Sequence, residues 1–157
     1  MNGGHASPPQ TWHRDGFTLS TAHADVDVAA VHRWLSEESY WARGIPRPVV
    51  EQSIAHAIPF TLRAAEEFAG FARVVTDRAT IAYLGDVFIL PPYRGLGLSK
   101  WMVECVLAHP DLQGLRRFLL ATSDAHGLYA QYGFTPMKAP QKWMEIHRPD
   151  AYRSNPA

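Results

Sequence analysis

The chain has 157 residues, 46% of them hydrophobic, and its 15 basic and 15 acidic side chains cancel to a formal net charge of zero. That length suits one domain with its own core, and the charge balance excludes nucleic acid and anionic membrane as main partners, since both demand a basic surplus. No apolar run approaches the ~18 residues of a membrane-spanning helix, and a single cysteine excludes an internal disulfide, which fits a cytoplasmic protein.

Residues 1–14 are rich in Gly, Pro and polar side chains and read as a disordered tail. They lack the charged start and apolar core of a secretory signal. Phe17-Thr-Leu-Ser-Thr alternates as a first strand. Asp25 stands where it can cap a helix with Val28, Val31, Trp34 and Leu35 on one face. An irregular, aromatic stretch follows from Glu37 to Arg47. Pro48 suits the first turn of a second helix, with Val49, Val50, Ser53, Ile54 and Ala57 inward and Pro59 ending it. Phe60–Ala65, Gly70–Thr76 and Thr80–Leu90 read as strands of an antiparallel meander.

Residues 84–108, LGDVFILPPYRGLGLSKWMVECVLA, carry the densest information. Val87 to Leu90 form an apolar strand, and Pro91-Pro92 ends it because proline cannot donate to a ladder. Arg94-Gly95-Leu96-Gly97 turns the backbone. Leu98, Trp101, Met102, Cys105 and Val106 then recur at the spacing of an amphipathic helix. Strand, glycine-bearing turn and helix start make an anion site: glycine lets N–H groups approach a ligand, and the helix start offers unpaired donors and partial positive charge. The segment is neither G-x-x-x-x-G-K-[ST] nor G-x-G-x-x-G. Beyond it, Arg117–Ala121 is a short strand and Asp124 is placed to cap a short helix through Tyr132. Phe134–Met137 and Lys142–Ile146 supply the last strand or strands. The eight histidines are scattered without zinc-site spacing, so no metal is expected. The order is β-α-α-β-β-β-α-β-α-β, a mixed α/β domain over 15–148, with 149–157 as a tail.

Two motifs carry a family likeness. Arg94-Gly95-Leu96-Gly97-Leu98-Ser99 resembles the [QR]-x-x-G-x-[GA] pyrophosphate signature of the GNAT acetyltransferase superfamily, with Ser99 in the last, small position. Leu128-Tyr129-x-x-x-Gly133-Phe134 resembles the L-Y-x-x-x-G-F pattern of the same superfamily, in the right order. The runs 39–45, 70–77, 82–88 and 112–117 resemble a bacterial subgroup of single-domain members. The resemblance implies a mixed, mostly antiparallel central sheet flanked by helices, and acyl transfer from acetyl-CoA to an amine. It also admits a homodimer.

On that resemblance, Arg94, Gly95, Leu96, Gly97, Leu98, Ser99 and Lys100 hold the pyrophosphate. The main chains of Val87, Phe88 and Ile89 pair with the pantetheine arm. Thr122 stands where many relatives place a CoA-contacting Asn. Tyr129 is the implied general acid for the departing thiolate. The residues themselves single out Asp86, the only acid of the Ala79–Leu90 strand, which is costly there unless bonded or functional. Its role is left between base and substrate anchor. An amine with a pKa near 10.4 is mostly protonated at neutral pH and must lose a proton before attack. Ser39, Tyr40, Trp41, Arg43 and Tyr83 are the candidate acceptor residues, suiting an amine with a carboxylate or ring. Cys105 lies on the apolar helix face and reads as core, so direct attack is expected rather than an acyl-enzyme. The acceptor expected is a small-molecule amine. The alternatives are a protein or peptide acceptor, or a CoA-binding module without turnover.

Overall fold

The computed structural model describes residues 6–153. A single sheet of six strands runs in sequence order. The strands are β1 (Thr11–Arg14), β2 (Phe17–Ser20), β3 (Ile58–Ala64), β4 (Glu67–Thr76), β5 (Ile81–Ile89) and β6 (Arg117–Leu120). The first five pair antiparallel, and β6 joins β5 in parallel. The parallel pair needs a crossover, and helix α3 (Leu98–Ala108) supplies it. Helices α1 (Val28–Glu37) and α2 (Arg47–Ala55) lie between β2 and β3, and the short α4 (His126–Ala130) follows β6. This is the mixed, mostly antiparallel α/β architecture expected.

Two cores sit on the two faces of the sheet. One joins Phe60, Leu62 and Val74 to the buried α3 side chains Leu98, Trp101, Met102, Val103, Cys105 and Val106. The other joins Phe71 and Phe88 to Val31 and Leu35 of α1 and Val50 and Ile54 of α2. The alternation of β5 explains which residue goes where, up to one point. Ala82 and Leu84 face the first core, so strict period two would send Phe88 there as well. Instead Phe88 faces the second core and Ile89 the first. The phase slips at Asp86, whose φ is +53°, where the β4–β5 register jumps from Phe71↔Phe88 to Arg73↔Gly85. This is a β-bulge, and it bends the strand at the site described below.

Four expectations are corrected. Residues 1–5 lie outside the described residues, but Thr11–Arg14 is a paired strand rather than tail, and Ser7 donates to Asp111 through both its N–H and its hydroxyl. Asp27, not Asp25, caps α1 by accepting from the Ala30 N–H. Asp25 instead accepts from the Ser20 hydroxyl. Asp124 does not cap α4: the Thr122 hydroxyl accepts from the Ala125 N–H at 3.0 Å, closing that turn. Finally, neither 134–137 nor 142–146 forms a strand, so β6 is the outer edge of the sheet. Pro136 removes a donor from the first of these stretches.

Candidate active site

Pairing between β5 and β6 stops at Leu84↔Leu120, whereas β5 continues to Ile89. Among the described residues, Gly85 to Ile89 therefore have no strand neighbour on that side. On the other side β4 still pairs with Gly85, Phe88 and Ile89, and the bulge leaves only Asp86 and Val87 without a partner there. Into the gap on the β6 side falls a cavity of about 690 Å³. Leu84–Ile89 form one wall, Leu120–Ala125 and Tyr129 the opposite wall, and Trp34 with Glu38–Trp41 a third. An edge of unpaired peptide groups facing a slot is what an amide-bearing, extended ligand pairs with.

Arg94 lines this cavity, and the glycine turn continues from it to the start of α3. Gly95 and Gly97 have φ of +80° and +75°, which L side chains rarely adopt. A Cβ on either would meet nothing within 4 Å, so the turn borders open space. Gly97 caps α3 with no side-chain acceptor, which leaves the N–H groups of Leu98, Ser99 and Lys100 available to an anion. Leu98 itself is buried core, so its contribution is main-chain only. Arg94 donates from Nε to the Ile89 carbonyl at 2.9 Å, tying the turn to the strand end. These residues fit a pyrophosphate joined to a peptide-like arm.

Tyr129 is buried at the cavity wall, its ring edge-on to Phe134. Its hydroxyl has no hydrogen-bond partner among the described residues. Burial, then the nearby Asp124 and Tyr40, push its pKa above the ordinary tyrosine value, so it is an O–H donor at neutral pH. Asp86 also lines the cavity, but both of its oxygens are engaged. Oδ2 accepts from Arg73 Nε at 2.6 Å and Oδ1 from Trp41 Nε1 at 2.8 Å. The ion pair is mostly enclosed, with side chains 20% and 10% exposed.

The acceptor candidates divide. Tyr40, Trp41 and Tyr83 are exposed and line the cavity. The Tyr40 oxygen accepts from the Ser123 hydroxyl at 2.8 Å, bridging the segment after α1 to the loop after β6. Tyr83 lies over Gly85, where a Cβ would come within 2.9 Å of its ring. Ser39 borders the cavity, but its buried hydroxyl donates to the Leu35 carbonyl and accepts from the Ala42 N–H, so it closes the end of α1. Arg43 is exposed and not part of the cavity lining, because it falls on the outer side of the turn that buries Ala42 and Ile45. Thr122 lines the cavity while capping its turn.

Two contributors escaped the sequence reading. Trp34 stacks on Phe88 with ring centroids 4.0 Å apart and forms part of the wall. Arg73 holds Asp86; the only signal was a lone cation inside the apolar run GFARVVT. Cys105 is buried, and burial pushes its thiol up to about 12, which removes it as a nucleophile. Among the described residues no cluster of His, Cys, Asp and Glu could hold a metal ion, and no helix is long and apolar enough to cross a membrane.

Comparison with known proteins decides the family. The sequence model of the "Acetyltransferase (GNAT) family" matches residues 18–134, well over half the chain. The chain belongs to the GNAT acetyltransferase family. A GNAT-family protein of Xanthomonas campestris pv. campestris is 51% identical, superposing with a TM-score of 0.86 over 88% of this chain and 97% of that one. A Gibberella zeae protein, whose name assigns it to the acetyltransferases, is 32% identical over 145 residues, 78% of this chain and 81% of its own length. A GNAT acetyltransferase of Elizabethkingia anophelis, solved with acetyl-CoA bound, shares the fold at a TM-score of 0.60 and 12% identity, over 86% and 90% of the two chains. This GNAT protein is thus an acyl-CoA-dependent acetyltransferase.

Proposed function

We propose that this GNAT protein moves an acetyl group from acetyl-CoA to the primary amine of a small molecule, by direct attack within a ternary complex in the cytoplasm. One observation carries the reading. The free edge of β5 and the unpartnered Tyr129 hydroxyl face each other across the cavity, and aromatic side chains close the side from which an acceptor would enter. The amine nitrogen attacks the thioester carbonyl, forming C–N and breaking C–S. Tyr129 gives its proton to the departing sulfur and recovers one from solvent.

Asp86 is better suited to anchor the acceptor than to act as a strong base. Each carboxylate oxygen keeps a further lone pair for an incoming ammonium, while Arg73 and Trp41 fix the carboxylate's orientation. The ammonium loses one proton through water before attack, and the nitrogen releases a second through water after C–N forms. Gly95 to Lys100 with Arg94 hold the pyrophosphate, and Val87 to Ile89 pair with the pantetheine amides. Tyr40, Trp41, Trp34 and Tyr83 receive the acceptor's apolar part. Ser39 and Arg43 have no part in this reading.

A peptide or protein acceptor would need an open groove, and the Tyr40–Ser123 hydrogen bond spans the place where it would lie. Thiol release from acetyl-CoA, screened over small amines and amine-terminated peptides, tests the proposal. Turnover confined to small amines is expected. Turnover only with peptides, or with no acceptor at all, would overturn it.

A further inference from the structure

The charges lining the cavity beside β5 are unevenly placed. Among the described residues Arg94 is its only cation, and it belongs to the strand end and the anion turn. The other charged lining residues are all carboxylates: Glu38, Asp86 and Asp124. Asp86 is held by Arg73 and Trp41. Glu38 and Asp124 are exposed and have no salt-bridge partner among the described residues. Arg43, expected to meet an acceptor carboxylate, lies outside the lining, so an acceptor carboxylate would find like charges there and no free cation.

Two further features favour a cation. Glu38 directly follows α1, so the negative end of that ten-residue helix adds to its charge. Aromatic rings stand beside it. Trp41 packs against Trp34 and Tyr40 with centroids 5.6 and 4.9 Å apart, and Tyr40 and Trp41 are both exposed and line the cavity. Ring faces attract ammonium groups and pack the methylenes next to them. Tyr129 lines the same space, only 8% exposed and with an unpartnered hydroxyl, and such a group is costly unless a ligand meets it.

We propose, resting on the reading of this chain as an acetyltransferase of small amines, that its acceptor is a di- or polyamine. The reacting ammonium lies at Asp86, and a second ammonium is held by Glu38 against Trp41 and Tyr40. Glu38 is then the residue that selects acceptors by charge. The transfer is the one already described: one nitrogen takes the acetyl group and becomes a neutral amide, CoA leaves as the thiol, and one net proton goes to water. The second ammonium keeps its charge throughout. An exposed ion pair is worth up to about a factor of five in affinity, and an ammonium on an exposed ring about as much.

Thiol release from acetyl-CoA with butylamine, diaminobutane and aminobutanoate tests this, because these linear amines share the reacting group and differ at the far end: methyl, ammonium or carboxylate. The kcat/KM should be highest for diaminobutane, at least about fivefold above butylamine, and lowest for aminobutanoate. Added salt should lower the diaminobutane value more steeply than the butylamine value. Glu38→Gln, at an exposed side chain, should cut the diaminobutane-to-butylamine ratio about fivefold. Butylamine or aminobutanoate used as well as diaminobutane, or a ratio that Glu38→Gln does not move, overturns the second charge and leaves the transfer reading standing. Thiol release with no amine at all overturns both.

Discussion

Replacing Tyr129 by Phe separates a catalytic tyrosine from a packed one. The hydroxyl has no partner among the described residues, so its removal breaks no protein hydrogen bond in the free fold. The ring keeps its edge-on contact with Phe134, with centroids 5.9 Å apart. The folding cost is therefore expected within about 0.5 kcal/mol, the range of substitutions that remove no contact. The kinetic cost is different. General acids commonly contribute 10²–10⁴-fold, but a thiol with a pKa near 8.5 leaves with modest help, which points to the low end. A loss of about 10- to 100-fold in kcat, roughly 1.4–2.7 kcal/mol of barrier, is expected. The KM for acetyl-CoA should stay within a few-fold. Initial rates of thiol release and a thermal melt on the same preparation give both numbers. A kcat within threefold of the unmodified protein would refute the proton-donor role, and a large drop in melting temperature would reassign Tyr129 to packing.

Other consequences are as direct. Gly97→Ala forces a left-handed alanine, costing about 1 kcal/mol of stability, and sets a methyl in the open space of the anion site; calorimetry should show acetyl-CoA affinity reduced at least tenfold. Arg73→Met leaves the Asp86 carboxylate mostly enclosed without its cation, so chemical denaturation should report a loss of about 2 kcal/mol, discounted from the value for a fully buried pair because both side chains keep some exposure. The same variant should lower kcat/KM for the acceptor more than for acetyl-CoA. His109 is buried, and burial holds its pKa below the ordinary histidine value of 6.5. The unfolded chain then binds the proton first, so stability should be intact above that value and fall as pH drops below it. A His109→Gln variant should show a flatter dependence of melting temperature across the same window.

The proposed cofactor side of the candidate site was legible because its signals are local. Gly95 and Gly97 are glycines since their backbone is left-handed, and the α3 stripe follows from helical spacing; neither depends on a distant partner. The L-Y-x-x-x-G-F run likewise marked Tyr129 within a single turn. Asp86 stood out as a lone acid in a strand. What it does there depends on β4 and on the loop after α1, which bring Arg73 and Trp41 to its two oxygens. The acceptor wall was half legible: four neighbouring residues were named at 39–43, but burial of Ala42 and Ile45 turns Arg43 outward and commits the Ser39 hydroxyl to the end of α1.

The sequence by itself determined the elements from β2 to α4 and the glycine turn before α3, because each is written within one turn or one strand, and its motif marked Tyr129, the residue proposed as proton donor. Only the tertiary structure decided where β5 is left unpaired, since that follows from β6 stopping after Leu120 and from the one-residue slip at Asp86. It also decided that residues 11–14 join the sheet while 134–146 do not. Strand pairing is settled by what stands alongside, and a chain's own residues do not say which edge will be filled.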